Sequence, residues 1–401
     1  MTELNPKSRF SILQTWQGMG LGELLFLISI VSVFFPVKIY PAFFLISSIQ
    51  FYRESPKIKL EIWSIALLVF SVYASLSFAF TFEGDTFTSV NLAKLLINFC
   101  FLFFSIHWLR GRDNSLLLTR LELVLIVAFV LVLIQLLVYH EAMNFRLITG
   151  SSSSGQASSL YNKSLYFWGL DDKNMFGARI ALLGFILICI PIVARDAVSV
   201  LRVLIVFGIA FLSLSRTPLI ALLIGVFLLF WMVASKNWRI VLIIGVLICL
   251  PFLLGKVIRV DNLTASNDGM GIRLVYWKAF FLHFTEISPL GNGFLSAPEF
   301  LSKYADFYRG EPHIHNTFLS AYLELGIVGL LSFISFLWFF FKESAAKFSN
   351  LAFQFLLFLP LLSIMMILYS GYDNDVVLYL ILMFLLANVR PIDFKKLKVT
   401  L

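Results

Sequence analysis

Long apolar runs, each bounded by charged residues or proline, are the feature that most restricts how this 401-residue sequence can fold. A helix that crosses a bilayer needs roughly 20 apolar residues. Because 60% of the residues are hydrophobic and 13% are charged, little chain remains for a soluble domain. We therefore predict an all-α, polytopic integral membrane protein with about 12 transmembrane helices, forming a single membrane domain over residues 1–401. The predicted spans lie near 21–35, 37–52, 62–82, 88–109, 116–139, 174–194, 198–214, 217–234, 239–255, 317–341, 351–369 and 375–390.

Basic residues occur in alternate connections between these runs, which the positive-inside rule assigns to the cytoplasm. Both termini are thereby predicted to be cytoplasmic. The net charge of +8 is explained by loops that face anionic lipid, and it does not indicate nucleic-acid binding. The basic groups are Lys7/Arg9, Arg53/Lys57/Lys59, Arg110/Arg112/Arg120, Arg195/Arg202, Lys236/Arg239, Lys342/Lys347 and Arg390/Lys395/Lys396/Lys398.

Two long loops are predicted on the opposite, outer face of the membrane. The loop over residues 140–173 contains a low-complexity tract of glycine and serine at 150–159. The loop over residues 256–316 contains two aromatic, amphipathic stretches at 273–286 and 298–309, which predict short helices near the membrane surface. A turn sequence rich in proline and glycine, 288–294, separates the two stretches.

Several arginines and histidines lie on this outer face, where the positive-inside rule does not explain them. Any one arginine could extend its guanidinium to the lipid headgroups. As a set they suit a diphosphate better, because guanidinium groups bind phosphate in bidentate fashion and keep their charge. The residues are Arg146, Arg179, Arg216, Arg259, Arg273 and Arg309, with His140, His313 and His315.

Metal binding is the weaker interpretation of these residues. His313 and His315 have no nearby cysteine, and a single imidazole acting as a base or hydrogen-bond donor is more plausible. Asp171 and Asp172 could bind a divalent ion, but the adjacent Lys173 opposes it. All three cysteines lie inside apolar runs, so neither a disulfide nor a zinc site is predicted. We expect no metal and no cofactor.

One motif near the end of the second outer loop resembles a known family. The motif consists of His315-Asn316, nine intervening residues, and then Gly326-x-x-Gly329. It is similar to the signature of the bacterial O-antigen ligase and O-antigen polymerase superfamily, which includes protein O-oligosaccharyltransferases. We also expect the two glycines to allow close packing of neighbouring helices. Four further stretches are similar to the family: Ser215-Arg216-Thr217, Gly271-Ile-Arg273, Ser288-Pro-Leu-Gly-Asn-Gly-Phe294 and Gly169-Leu-Asp-Asp-Lys-Asn174.

The resemblance implies an inverting, metal-independent transfer of a glycan from undecaprenyl diphosphate to an acceptor sugar hydroxyl, at the periplasmic face of the bacterial inner membrane. His315, Arg216 and Arg273 are the expected catalytic residues, with the arginines on the diphosphate and His315 on the acceptor hydroxyl. We expect them within about 10–12 Å of one another. Residues predicted to bind substrate are Asn316, Arg309, His313, Arg146 and Arg259.

The acceptor and the function class have alternatives. A polymerase would use another lipid-linked repeat unit as the acceptor, and a ligase would use lipid A core. The Asp-Lys-Asn sequence at 172–174, where the chain enters a span, and the weakly basic outer loops favour the polymerase. A protein O-oligosaccharyltransferase is a further option. Expected partners are the lipid-linked glycan, its acceptor, membrane lipid and a protein that sets chain length. A transporter or flippase of lipid-linked sugars would require charged residues deep within the spans. Lys94 and Glu324 are candidates for such residues, and two are few for this function.

Overall fold

A computed structural model describes residues 15–35, 38–55, 58–81, 84–110, 112–142, 145, 173–252, 269–368 and 371–401. Within these ranges each predicted span corresponds to one helix. The first six helices are α1 (Leu21–Ser32), α2 (Tyr40–Glu54), α3 (Ile62–Thr81), α4 (Thr86–Arg110), α5 (Ser115–Ala142) and α6 (Lys173–Arg195). The others in the bundle are α7 (Val200–Leu212), α8 (Arg216–Val233), α9 (Lys236–Phe252), α12 (Thr317–Ser344), α13 (Leu351–Met365) and α14 (Asn374–Ala387).

The all-α, multi-pass fold is confirmed. Among the described residues six helices are long and apolar enough to cross a membrane: α3, α4, α5, α6, α8 and α12. The helices α1, α7, α13 and α14 are apolar but have only 10–17 residues. The number of crossings therefore stays a prediction.

Connections that were predicted to share one face of the membrane meet at one end of the bundle, which we call the basic end. Arg112 pairs with Glu23 at 2.6 Å, and Arg110 pairs with Glu61. Two short strands, β1 (Ala197–Ser199) and β2 (Lys398–Thr400), pair in parallel and bring the C-terminal tail to the connection after α6. The alternation of basic residues thus matches the fold, while the side that faces the cytoplasm stays a prediction.

Two helices outside the bundle lie in the second outer loop. They are α10 (Gly269–Leu282) and α11 (Ala297–Tyr304), close to the stretches predicted at 273–286 and 298–309. The second helix is shorter than predicted, because it ends at Tyr304 and residues 305–309 are not helical. Buried side chains of α10 and α11 form a small core with Ile314 and Leu323, next to the first turns of α12.

The helix α12 breaks at Gly326, where the backbone has φ 59° and ψ −156°. The turn at 289–293 fills the break: Ile327 N donates to the Pro289 carbonyl at 2.9 Å, and Asn292 N donates to the Leu323 carbonyl at 2.8 Å. A Cβ on Gly326 would overlap the Pro289 carbonyl oxygen, and one on Gly329 would meet Leu325 of the same helix. The close packing that we expected between helices is thus made at Gly326 against this turn, and the atoms nearest to a Cβ on Gly329 belong to α12 itself.

Candidate functional site

His315 lies directly before α12, in a left-handed backbone conformation with φ 58°. The next residue, Asn316, caps the helix: its Oδ1 accepts hydrogen bonds from Phe318 N at 3.0 Å and Leu319 N at 3.1 Å. Its Nδ2 donates to the Met366 carbonyl at 3.2 Å, and the side chain is buried. Asn316 was predicted to bind substrate, but its amide is used inside the protein, where it fixes the residue that follows His315.

The imidazole of His315 faces other rings and a cation. Its ring centroid is 5.4 Å from that of His313, and these two rings meet edge to face. Its centroid is 6.1 Å from that of Tyr276, and the rings of His315 and Tyr276 are parallel. Nδ1 is buried and has no hydrogen-bond partner among the described residues. Burial, His313 and Arg273 together hold the pKa of His315 well below its usual value. The ring is therefore neutral at pH 7 and able to accept a proton.

Tyr276 ties the loop that carries His315 to α10. Its hydroxyl donates to the Glu311 carboxylate and accepts a hydrogen bond from the backbone N–H of Arg309 at 3.2 Å. Burial, and then the bond to Glu311, raise the pKa of Tyr276, so the phenol stays protonated as the donor. Tyr276 comes three residues after Arg273, which places both on one face of the helix.

Arg273 connects this loop to the start of α8. Its side chain is buried, and Nη1 donates to the Thr217 hydroxyl at 3.4 Å. Thr217 follows Arg216, the first residue of α8. The charge of Arg273 also acts on His315, as the lowered pKa shows. The structure therefore brings together three of the stretches that were predicted to act together.

The turn before α8 is held by residues at the start of α6. Ser215 donates its hydroxyl to Oδ1 of Asn174 at 3.2 Å. A Cβ on Gly177 would overlap the Ser215 side chain, so glycine is needed for this close approach. Asn174 is thus a residue that positions Arg216, and the resemblance at 169–174 was the signal that could have identified it.

The other predicted site residues are distributed differently. Arg309 is exposed, and its guanidinium lies over the Phe307 ring at 5.6 Å. His313 is half-buried beside His315. Arg146, Arg259 and the pair Asp171 and Asp172 lie outside the described residues, as do most of the 140–173 loop and residues 253–268.

Two of the other outer residues form contacts within the bundle. Arg179 forms a buried ion pair with Asp375, with Nε and Oδ1 2.7 Å apart. His140 Nε2 lies 2.8 Å from the Leu212 carbonyl, at the end of α7. Lys94 similarly pairs with Asp373. Sequence reasoning missed these acidic partners, although charges at membrane depth generally require one.

Within the described ranges, no three side chains of His, Cys, Asp or Glu are grouped as metal ligands would be. The group consists of the neutral imidazole of His315 and the buried guanidinium of Arg273. Arg216 directly precedes Thr217, whose hydroxyl Arg273 contacts, and Tyr276 fixes the loop. Such a group can take a proton while it stabilises negative charge.

Comparison with known families matches residues 201–334 to the O-antigen ligase family. This confirms the resemblance to the O-antigen ligase and polymerase superfamily. The match runs from α7 to the middle of α12 and includes Arg216, Arg273 and His315. No curated protein matches the chain significantly. The family and the apolar helices support a multi-pass membrane protein that transfers glycosyl groups.

Proposed function

We propose that this protein, whose residues 201–334 match the O-antigen ligase family, transfers a glycan from undecaprenyl diphosphate to an acceptor sugar hydroxyl. The reaction takes place at the periplasmic face of the bacterial inner membrane. The observation that carries the proposal is the position of buried Arg273, which contacts Thr217 on one side and acts on the neutral imidazole of His315 on the other.

The bonds formed and broken follow from this arrangement. The acceptor hydroxyl oxygen attacks the anomeric carbon of the donor and forms the new glycosidic bond. The bond from that carbon to the diphosphate oxygen breaks, and its electron pair leaves with undecaprenyl diphosphate. His315 takes the hydroxyl proton, while Arg273 and Arg216 stabilise the charge that grows on the leaving group. Attack from the side opposite the leaving group inverts the anomeric centre.

Donor binding would also make His315 a better base. In the free protein Arg273 disfavours the imidazolium form of His315, since both would be cations. A diphosphate held by Arg273 neutralises that charge, and the pKa of His315 then rises. His315 thus becomes an effective base only when the glycan donor is bound. Without the donor, the hydroxyl of the acceptor sugar keeps its proton.

The acceptor is decided by experiment. Purified protein is incubated with an undecaprenyl-diphosphate-linked repeat unit and, in turn, a second lipid-linked repeat unit, lipid A core and an acceptor protein. We expect products with two joined repeat units, as a polymerase makes. Transfer to lipid A core alone would identify a ligase, and absence of transfer to every acceptor would overturn the proposal.

A flippase is the competing function. The break in α12 is the feature that this chain would share with transporters, since they use interrupted helices around a substrate cavity. Here the carbonyls freed at the break accept hydrogen bonds from Asn292 and Gly293 of the 289–293 turn. The interruption is filled by the protein's own backbone, which favours a structural joint. A flippase would move the lipid-linked sugar in vesicles without forming a glycosidic bond, so the same reagents separate the two functions.

A further inference from the structure

The basic end of the bundle contains a cavity that the proposed reaction does not use. It has a volume of about 610 Å³ and is bounded by the start of α3 and by the ends of α4, α12 and α14. This volume is within the range of sites that bind small molecules. Its charged lining residues are Arg110, Lys347, Glu61 and Glu343.

The two cations in the cavity have hydrogen-bonding capacity to spare. Arg110 donates from Nη1 to Glu61, and its guanidinium lies 5.5 Å from the Phe384 ring centroid. Within the described ranges that is its only hydrogen bond, although a guanidinium has five N–H donors. Lys347 Nζ lies 3.5 Å from the Asn388 carbonyl, a long hydrogen bond, and 5.0 Å from the centroid of the Phe348 ring. Both side chains can therefore bind an additional anion, such as a phosphate.

The two carboxylates balance these cations. Glu61 accepts a hydrogen bond from Trp63 Nε1 at 2.7 Å in addition to the bond from Arg110. Glu343 accepts from the backbone N–H groups of Ile62 and Trp63 at the start of α3. The lining thus carries two positive and two negative groups, and no net charge. A ligand with a phosphate and an ammonium group matches this lining better than a purely anionic one does.

An apolar groove continues from the cavity along the seam between α3 and α4. It has a volume of about 340 Å³, and Leu60 lines both the cavity and the groove. Leu96, Phe99 and Phe103 of the groove share one face of α4 with Arg110, because they are 14, 11 and 7 residues before it. At about 1.5 Å per residue, Leu96 and Arg110 are about 21 Å apart along the helix, more than half of the roughly 30 Å hydrocarbon core.

We propose that the cavity and the groove together bind one zwitterionic phospholipid with a primary amine. Its phosphate lies against Arg110 and Lys347, its ammonium group lies toward Glu343 and Glu61, and one acyl chain occupies the groove between α3 and α4. The site lies at the opposite end of the bundle from His315, and it does not depend on the proposed reaction.

The test measures which phospholipid remains bound to the purified full-length protein. The protein is exchanged into detergent containing equal amounts of phosphatidylethanolamine, phosphatidylcholine and phosphatidylglycerol, and bound lipid is counted by native mass spectrometry. We expect one phosphatidylethanolamine to be retained. Preferential retention of phosphatidylglycerol, or retention of all three in equal amounts, would overturn the proposal, because the charge complementarity would then be absent.

Two variants and two matched controls locate the site. Lys347→Gln removes a cation from the cavity, and Cys100→Trp fills the groove that Cys100 lines. Each should lower the bound fraction, roughly fivefold for the lysine, as the loss of one exposed ion pair predicts. Lys342→Gln and Cys249→Trp alter an exposed lysine and an exposed cysteine that line neither feature, and should leave retention unchanged. Equal retention in all four variants would contradict the assignment.

Discussion

The imidazole of His315 is placed beside positively charged and titratable neighbours, which lower its pKa. Burial has the largest effect on its pKa, followed by His313 and then Arg273. These neighbours act in the direction opposite to a carboxylate partner, which would raise the pKa of the imidazole. The design suits an enzyme whose donor brings two negative phosphates to the same place.

We predict that removing either neighbour raises the pKa of His315. Arg273→Gln removes a positive charge, and His313→Gln removes a group that can become positively charged. The imidazolium form of His315 is then less disfavoured, so His315 is protonated at a higher pH. The titration of the His315 ring, followed by NMR on protein with labelled histidine, measures the shift. The variant His283→Gln changes a histidine that stacks on Tyr304 instead, and should leave the titration of His315 unchanged. A pKa that falls in Arg273→Gln would contradict the electrostatic argument.

Arg273 is predicted to act through its geometry as well as its charge. Arg273→Lys keeps a cation but loses the planar fork, and Arg273→Gln loses both. We expect transfer rates to fall about tenfold in the lysine variant and about 10²–10³-fold in the glutamine variant, as for the loss of one stabilising donor. Initial rates at saturating acceptor provide the measurement. Equal rates for wild type and both variants would remove Arg273 from the site.

At the scale of elements, the break in α12 determines where His315 lies. The turn at 289–293 clamps the helix at the break at Gly326, ten residues after Asn316, so the segment between the cap and the break is held at both ends. Tyr73 of α3 also donates to the Leu290 carbonyl at 2.7 Å, which fixes the turn to the bundle. The position of the imidazole therefore depends on contacts well away from it.

Gly326→Ala is predicted to weaken this joint. The substitution places a Cβ against the Pro289 carbonyl and requires a positive φ from a non-glycine residue, at a cost of roughly 1–3 kcal/mol. The free energy of unfolding in SDS titrations measures the effect. Gly208→Ala on α7 is the matched control, since a Cβ there meets nothing within 4 Å and the φ is helical. Equal stability of the two variants would mean that the clamp does not hold α12.

Hydropathy and charge predicted each bundle helix, because both signals are local along the chain. The outer helices α10 and α11 were also anticipated from their amphipathic pattern. The break at Gly326 was not, since its partner turn lies more than 30 residues earlier and only the tertiary fold brings them together. For the same reason Arg179 was included in the set of outer arginines that would suit a diphosphate, although Asp375, 196 residues away, is its partner.

At the scale of the whole molecule, the two ends of the bundle have different chemistry. The basic end holds ion pairs between connections, such as Arg112 with Glu23, and the lipid cavity beside Arg110. The other end holds the small core of α10 and α11 and the group around His315.

The orientation of the two ends can be measured by thiol labelling in intact cells. In a chain whose native cysteines are replaced, Asp306→Cys lies on an exposed loop near His315, and Lys395→Cys lies in the tail at the basic end. A membrane-impermeant maleimide added from outside, after the outer membrane is made permeable, should label Asp306→Cys and should label Lys395→Cys only after lysis. The reverse pattern would contradict the assignment of the basic end to the cytoplasm.

The most direct test of the account is the rate of glycan transfer by purified wild-type protein, His315→Gln and His283→Gln, each with an undecaprenyl-diphosphate-linked repeat unit and an acceptor glycan. Loss of a general base costs about 10²–10⁴-fold. We predict a fall of this size in His315→Gln, with donor binding retained, and a wild-type rate in His283→Gln, in the presence or absence of EDTA. Transfer by His315→Gln at the wild-type rate would contradict the central claim that this imidazole takes the acceptor proton beside Arg273.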